Sequence, residues 1–258
     1  MSRNFELLQQ AEQGMMTSPA DVGPAPAPAE WTAPVESADA VASALPEMEG
    51  PSQEQMTKLV RQLFQPPSGG RTVVLAGVEP GNGGTWMTAQ CARVLAAQVR
   101  GAVCMVDGNL RTPALHDQFG VTNHHGLSDW MRQGRPVSDY VQRLEGTSNL
   151  WLLSCGSEPG PEGPGVLLRA ETLRIRMQEL RAAFEYVLVD APPLSLYGDA
   201  VILGQAADGI ALVIAEQGTR KESARHAVEE LNRANVRVLG AVLNKRTFPI
   251  PQKLYDRL

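Results

Sequence analysis

Apolar runs alternate with amphipathic stretches from about residue 52 to the end of the chain. Six runs are apolar throughout and rich in β-branched residues, as in buried strands; they lie at 71–78, 101–109, 149–156, 185–193, 207–217 and 236–245. Four stretches have one apolar face and predict helices at 52–64, 86–99, 173–184 and 220–235. Strands of this kind, alternating with helices, indicate a mostly parallel sheet that is covered on both faces. The sequence therefore predicts a three-layer α/β domain over residues 52–258.

The first 51 residues have a different composition. Residues 3–16 predict a short helix, and residues 17–51 are rich in proline, alanine, serine and acidic residues. Proline at this density removes backbone donors and blocks helix formation, so we expect a disordered linker without a core. Residues 1–56 hold nine acidic residues and Arg3 as their only base. We expect this acidic tail, 1–51, to act as a tether to a partner.

Charge and cysteine usage exclude several classes of protein. The remaining 22 basic and 19 acidic residues leave the domain too close to neutral for a duplex-binding surface, so we expect no nucleic-acid partner. Cys91, Cys104 and Cys155 form neither a disulfide framework nor a zinc motif. No apolar run reaches the roughly 18 residues of a membrane span, and the first residues do not resemble a signal peptide. The sequence predicts a cytoplasmic protein.

The candidate chemistry lies where predicted strands end. The first strand is followed by a glycine-rich turn, residues 79–85, directly before a helix. Such a turn lets backbone N–H groups converge on a phosphate, assisted by the helix dipole. Asp107 and Asp190 each end another buried strand. Two carboxylates near a phosphate loop suit Mg²⁺, which takes one or two carboxylates together with phosphate oxygens and water.

Four strings carry a family resemblance: PGNGGT at 80–85, VDGNLRTPALHDQFG at 106–120, GLSDWM at 126–131 and VLVDAPPL at 187–194. From Arg71 to Asn244 the chain resembles the cytoplasmic domain of bacterial tyrosine kinases (BY-kinases), in the P-loop group that includes the ParA and MinD ATPases. The resemblance implies a MinD-like P-loop NTPase fold, ATP and Mg²⁺ as cofactors, and a link to capsular or exopolysaccharide assembly. It also implies a membrane polysaccharide co-polymerase as partner and a tendency to form homo-oligomers.

The same resemblance implies the site residues. Nucleotide would be bound by the loop, by the residue after it and by an asparagine after the last strand: Gly81, Asn82, Gly83, Gly84, Thr85, Trp86 and Asn244. Mg²⁺ would be held by Thr85, Asp107 and Asp190, and the two aspartates are also the candidate catalytic groups. Trp86 is a bulky residue at the start of the helix, where packing against the loop is favoured over a partner interface.

Three positions depart from the family pattern. Gly84 stands where the phosphate loop has its lysine, and the chain has no lysine between residues 59 and 220. Asn109 stands where the family has a second acidic residue, and an amide cannot act as a base. Tyr255 is alone where the family has a cluster of acceptor tyrosines. These departures predict a pseudokinase that keeps the phosphate-binding fold and has lost the groups for phosphate transfer.

Two alternatives stay open. An active tyrosine autokinase would use Tyr255 as its acceptor, and phosphotyrosine in the purified protein would support it. A ParA- or MinD-like positioning ATPase would dimerise with ATP and form no phosphotyrosine. The missing loop lysines and the lack of a C-terminal amphipathic helix argue against that second alternative.

Overall fold

A computed structural model describes residues 51–64, 70–158 and 163–245. The strands among these residues are β1 (Thr72–Gly77), β2 (Val103–Asp107), β3 (Gln142–Arg143), β4 (Leu150–Leu153), β5 (Tyr186–Ala191), β6 (Gly209–Ala215) and β7 (Val238–Asn244). The helices are α1 (Pro51–Phe64), α2 (Gly84–Gln98), α3 (Leu115–Phe119), α4 (Leu127–Gln133), α5 (Pro164–Leu167), α6 (Ala170–Ala183), α7 (Asp199–Ala206) and α8 (Lys221–Arg233). A short 3₁₀ turn covers Val137–Asp139.

The strands form one sheet in the order β3-β4-β2-β5-β1-β6-β7. All neighbouring pairs are parallel except β3 with β4, which is antiparallel. The predicted mostly parallel sheet is confirmed. Strand β1 lies between β5 and β6, so the turn after β1 lies near the middle of the sheet edge, where ligands bind in parallel α/β folds.

Alternate residues of the central strands pack into two separate hydrophobic clusters. Val73 and Leu75 of β1 face the cluster that includes α1 and α2, whereas Val74 and Ala76 face the cluster that includes α4, α6, α7 and α8. This alternation follows from the pleat of a strand, whose successive side chains point to opposite faces. Both faces of the sheet are therefore buried, and the predicted three-layer arrangement is confirmed.

The principal elements match the prediction to within a few residues at their ends. The structure adds the two-residue strand β3 and the four helices α3, α4, α5 and α7, which are too short to show a clear period in the sequence. The predicted helix at 3–16 and the linker at 17–51 lie outside the described residues, apart from Pro51 at the start of α1. No helix in the described part of the chain is long and apolar enough to cross a membrane.

Candidate functional site

The turn between β1 and α2 has the geometry of an anion-binding loop. Gly81 and Gly83 have φ angles of 78° and 89°, a left-handed conformation that is unstrained only for glycine. Gly83 is the residue that precedes the first turn of α2. The first N–H groups of a helix have no intrahelical acceptor and lie at the positive end of its dipole. The amides of Gly84, Thr85 and Trp86 are therefore available to a bound phosphate.

Thr85 and Asp190 lie in direct contact. The Thr85 hydroxyl donates a hydrogen bond of 2.7 Å to Oδ2 of Asp190, and the Thr88 hydroxyl makes a longer one of 3.4 Å to Oδ1. Thr88 lies almost one turn after Thr85 on α2, so both hydroxyls face the end of β5. Asp190 is fully buried. The structure thus brings two of the three predicted metal ligands together.

Asp107 stands beside Asp190, because the two residues are paired in the register of β2 and β5. Oδ2 of Asp107 accepts hydrogen bonds of 3.1 Å from the backbone amides of Ala114 and Leu115 at the start of α3. Its other oxygen, Oδ1, is buried and makes no hydrogen bond to any described residue. A buried oxygen without a partner is costly, and at a functional site it indicates a missing ion or water.

Both carboxyl groups have raised pKa values. Burial raises the pKa of Asp107 from 3.8 to about 6, against the opposing effect of the hydrogen bonds from Leu115 and Ala114. Burial also raises the pKa of Asp190 well above its ordinary value, and the neighbouring charge of Asp107 adds to that rise. Two adjacent buried carboxylates favour either a shared proton or a bound cation.

The donor set at this position fits Mg²⁺. Thr85, Asp107 and Asp190 all offer oxygen atoms, which Mg²⁺ prefers, and Oδ1 of Asp107 lacks another partner among the described residues. The Thr85 hydroxyl donates its hydrogen bond to Asp190, so its lone pairs are directed elsewhere. A cation held by these three residues stays a prediction, and their oxygen atoms fit it.

Gly84 leaves the loop without a positively charged side chain. A Cβ atom at this position would lie 3.1 Å from the backbone nitrogen of Gly77 and 3.8 Å from Oδ1 of Asp190. The first distance is tight, so a side chain here requires a shift of a few tenths of an ångström. The space around Gly84 is therefore tight, but a residue with a side chain can be accommodated after a small shift.

The nearby polar residues are engaged in structural contacts. Asn109 accepts a hydrogen bond from the Thr112 amide at 3.2 Å and donates one to the Thr112 hydroxyl at 3.0 Å. Arg111 forms an ion pair of 2.8 Å with Asp199, and its guanidinium lies 4.0 Å from the centre of the Tyr197 ring. The charge of Arg111 is thus already balanced by Asp199.

Three other residues that are predicted to contact nucleotide lie in the loop or beside it. Asn82 is buried within the turn, and Nδ2 of Asn244 donates to the backbone oxygen of Asn82 at 2.9 Å. Trp86 is half-buried and packs against the cluster that includes α1 and α2. The contact of Asn244 with a base stays a prediction, and so do the roles of the loop glycines. Tyr255 lies outside the described residues.

The sequence reasoning missed Thr88 and Thr219. Thr88 could have been found from its spacing of three residues after Thr85, which places it on the same helix face. Thr219 follows the end of β6, and its hydroxyl donates to Oδ1 of Asn82 at 3.0 Å. A polar residue after the carboxyl end of a parallel strand is the signal that points to it.

Comparison of the sequence with known proteins identifies bacterial tyrosine-protein kinases as relatives. The chain is similar to the tyrosine-protein kinase YwqD of Bacillus subtilis (strain 168), with 33% identity over 174 residues, 67% of this chain and 72% of that protein. It is 29% identical over 174 residues to the tyrosine-protein kinase Etk of Escherichia coli (strain K12), but it spans only 23% of the length of Etk. No family model matches the chain.

Solved structures show the same fold. The chimerical protein CapA2B2 superposes with a TM-score of 0.71 and 23% identity, over 78% of this chain and 87% of that one. The kinase domain of E. coli Etk gives a TM-score of 0.66 at 22% identity, over 77% and 78% of the two chains. The protein MinD from Pyrococcus horikoshii OT3, complexed with Mg-ADP, gives a TM-score of 0.57 at 21% identity, over 72% and 76%.

The order of the parallel strands and the two buried faces of the sheet agree with the fold that the kinase resemblance implies. Together with the similarity to YwqD, these observations show that the chain belongs to the family of bacterial tyrosine-protein kinases, whose fold is that of the MinD-like P-loop NTPases.

Proposed function

We propose that this chain is a nucleotide-binding regulatory pseudokinase of capsular or exopolysaccharide biosynthesis. The observation that carries the proposal is a contrast within one site. Thr85, Asp107 and Asp190 keep an oxygen-rich position for a cation, whereas Gly84 provides no charge at the position of the loop lysine. The loop therefore keeps what is needed to bind phosphate and lacks a main group for transferring it.

Different residues have different roles in the proposed binding of ATP and Mg²⁺. The amides of Gly84, Thr85 and Trp86 point positive dipoles at the phosphates, and Asp190 orients the Thr85 hydroxyl. When bound, Mg²⁺ shields the negative charge of the phosphate oxygens. The backbone amides of Ala114 and Leu115 hold Oδ2 of Asp107 in place, which leaves Oδ1 turned away from them. This arrangement suits an ATP–Mg²⁺ complex held with reduced affinity.

The regulatory part of the proposal concerns partners and location. The chain would act in the cytoplasm, through contacts with a membrane polysaccharide co-polymerase, with the acidic tail as a tether. The sequence similarity to the tyrosine-protein kinases YwqD and Etk supports a kinase-derived fold for such a regulator. An assembly that responds to nucleotide occupancy needs binding but no phosphate transfer, because a ligand acts through its differential affinity for two states.

Calorimetric titration of Mg²⁺-ATP into the full chain tests this function. We expect saturable binding that disappears with EDTA and in Asp190→Asn, a variant that keeps an oxygen for Thr85 but loses the charge. We also expect no phosphotyrosine after incubation with Mg²⁺-ATP. Absence of binding up to millimolar nucleotide would overturn the proposal, and phosphotyrosine on Tyr255 would instead establish the active autokinase.

A further inference from the structure

Asn82 is the one buried residue of the turn at 79–85, whose other residues are exposed or partly exposed. Its side chain is almost fully buried, so its amide oxygen needs hydrogen bonds from the protein. Oδ1 of Asn82 accepts one from the backbone N–H of Glu79 at 2.9 Å and one from the Thr219 hydroxyl at 3.0 Å. The side chain therefore connects the start of the turn to the segment after β6.

The backbone of Asn82 is held from a third segment. Nδ2 of Asn244, at the end of β7, donates to the backbone oxygen of Asn82 at 2.9 Å. The Asn244 amide also lies directly against Gly83, where any side chain would collide with it. We name Asn82, Thr219 and Asn244 the loop clamp, because they join the ends of β1, β6 and β7 at the phosphate loop.

Thr219 is itself fixed in position. Its hydroxyl accepts a hydrogen bond of 3.0 Å from the backbone N–H of Ala215, the last residue of β6, while it donates to Asn82. A hydroxyl that both accepts and donates has a defined orientation. The loop clamp thus attaches the turn to the ends of β6 and β7, which are held in the sheet. The turn itself has little packing of its own.

The clamp matters because the turn is rich in glycine. Gly81, Gly83 and Gly84 give the backbone more freedom than any other residues would, and ordering such a segment costs conformational entropy. A ligand that must order its own loop loses affinity by the free energy of that ordering. This loop has no lysine to attract phosphate. We therefore expect its affinity for nucleotide to depend strongly on whether the binding conformation is already formed before nucleotide binds.

We propose that Asn82 is a positioning residue, held by Thr219 and Asn244, which keeps the phosphate loop in its ligand-ready conformation before nucleotide binds. The nucleotide part rests on the proposed function, whereas the ordering of the loop is a property of the free chain. Asn82 acts through the backbone of Glu79 and of its own peptide, so it needs no contact with the phosphates.

Amide hydrogen exchange in the nucleotide-free chain tests the ordering directly. The Glu79 amide reports on the clamp, because its acceptor is the Asn82 side chain. We expect exchange at Glu79 to become about tenfold faster in Asn82→Ala and in Thr219→Val, as for the loss of a protecting hydrogen bond. Thr219→Ser keeps the hydroxyl and should exchange like the native chain. Thr147→Val is the matched control, because its hydroxyl bonds to Leu144 in the β3–β4 hairpin.

Nucleotide titration then separates loop order from charge. Asn82→Asp keeps the oxygen that accepts both hydrogen bonds, so we expect native exchange at Glu79 but weaker Mg²⁺-ATP binding, because the new charge repels phosphate. Asn82→Ala and Thr219→Val should each weaken binding by about tenfold. Circular dichroism at the titration temperature confirms that the variants compared are folded.

The outcomes are distinguishable from failure of the proposed function. Unchanged exchange at Glu79 in Asn82→Ala and Thr219→Val would overturn the clamp, whether or not the native chain binds nucleotide. Faster exchange with unchanged Mg²⁺-ATP affinity would overturn its role in binding. If the native chain binds no nucleotide, the proposed function fails, while the exchange result still decides whether the clamp orders the loop.

Discussion

Gly84 makes backbone dipoles the main source of positive potential in the phosphate loop. The neighbouring Arg111 is paired with Asp199, and the two buried aspartates contribute negative charge when they are ionised. A charge-assisted hydrogen bond is roughly twice as strong as a neutral one. We therefore expect the loop to bind phosphate more weakly than a loop of the same shape that carries a lysine.

Restoring the lysine should strengthen nucleotide binding. We expect Gly84→Lys to raise the affinity for Mg²⁺-ATP by about tenfold or more, the factor that corresponds to a hydrogen bond from a charged group of about 1.5–3 kcal/mol. Gly84→Met is the matched control, because it introduces a similar stem next to the Gly77 nitrogen without charge. Calorimetric titration of both variants measures the difference. Equal affinities for the two would show that the ammonium group does not reach the phosphates.

Asp107 should make stability depend on pH in the direction opposite to a salt-bridged carboxylate. Its folded pKa of about 6 exceeds its ordinary 3.8, so the folded state binds the proton more tightly. Asp107 therefore contributes fully to the free energy of unfolding below pH 4, and this contribution is lost as the pH rises to about 6. Above that range the ionised carboxylate costs about 3 kcal/mol, at 1.36 kcal/mol for each pKa unit.

Asp107→Asn should remove this cost. The amide oxygen of asparagine can still accept from Ala114 and Leu115. We expect urea denaturation without Mg²⁺ to show a higher free energy of unfolding for the variant at pH 8, and little difference at pH 4. Glu145→Gln, at an exposed position, is the control for a changed surface charge. A variant that is less stable than the native chain at pH 8 would contradict the raised pKa.

At the scale of single elements, Asn149 holds the end of helix α2. Its Nδ2 lies 3.2, 3.0 and 2.9 Å from the backbone oxygens of Ala96, Val99 and Gly101. Ala96 lies in the last turn of α2, and Val99 and Gly101 follow the helix, so their carbonyls have no intrahelical donor. The side chain of the residue before β4 thus connects the helix that follows the phosphate loop to the sheet.

Removing this contact should destabilise the domain. We expect Asn149→Ala to lower the free energy of unfolding by about 1–3 kcal/mol, because partly buried carbonyl groups lose their donor. Asn149→Asp should cost more at neutral pH, since a carboxylate would face three carbonyls at the negative end of the helix dipole. Denaturant titration measures both, with exposed Ser148→Ala as the control. A smaller loss for Asp than for Ala would contradict the orientation of the amide.

Elements with a clear period could be predicted from the sequence, whereas contacts between distant segments could not. The six apolar strands and the glycine turn identified the sheet and the phosphate loop, because burial and backbone geometry restrict which residues occur there. The hydrogen bonds of Asn82 join residues that are 137 and 162 positions apart. Such pairs depend on sheet order, which local patterns do not encode. Short helices such as α3 and α5 have too few residues to show a period in the sequence.

At the scale of the whole molecule, sheet order assembles the site. Placing β1 between β5 and β6 brings the phosphate loop next to Asp190 on one side and to Thr219 on the other. The pairing of β2 with β5 then adds Asp107. Residues from four parts of the chain meet because parallel strands end at the same edge of the sheet. The two hydrophobic clusters that support this edge are built, among the described residues, from position 56 onward.

The stability of the domain should therefore not require the acidic tail. We expect deletion of residues 1–50 to leave the urea midpoint and the Mg²⁺-ATP affinity unchanged, because the proline-rich composition of this segment does not favour a core. Deletion of residues 1–64 is the matched comparison. It also removes helix α1, which buries Met56, Val60, Leu63 and Phe64. At about 1.5–3 kcal/mol for each buried apolar side chain, this second deletion should unfold the domain or lower its midpoint strongly. If the shorter deletion destabilises the chain as much as the longer one, the tail packs against the domain and the division at residue 51 is wrong.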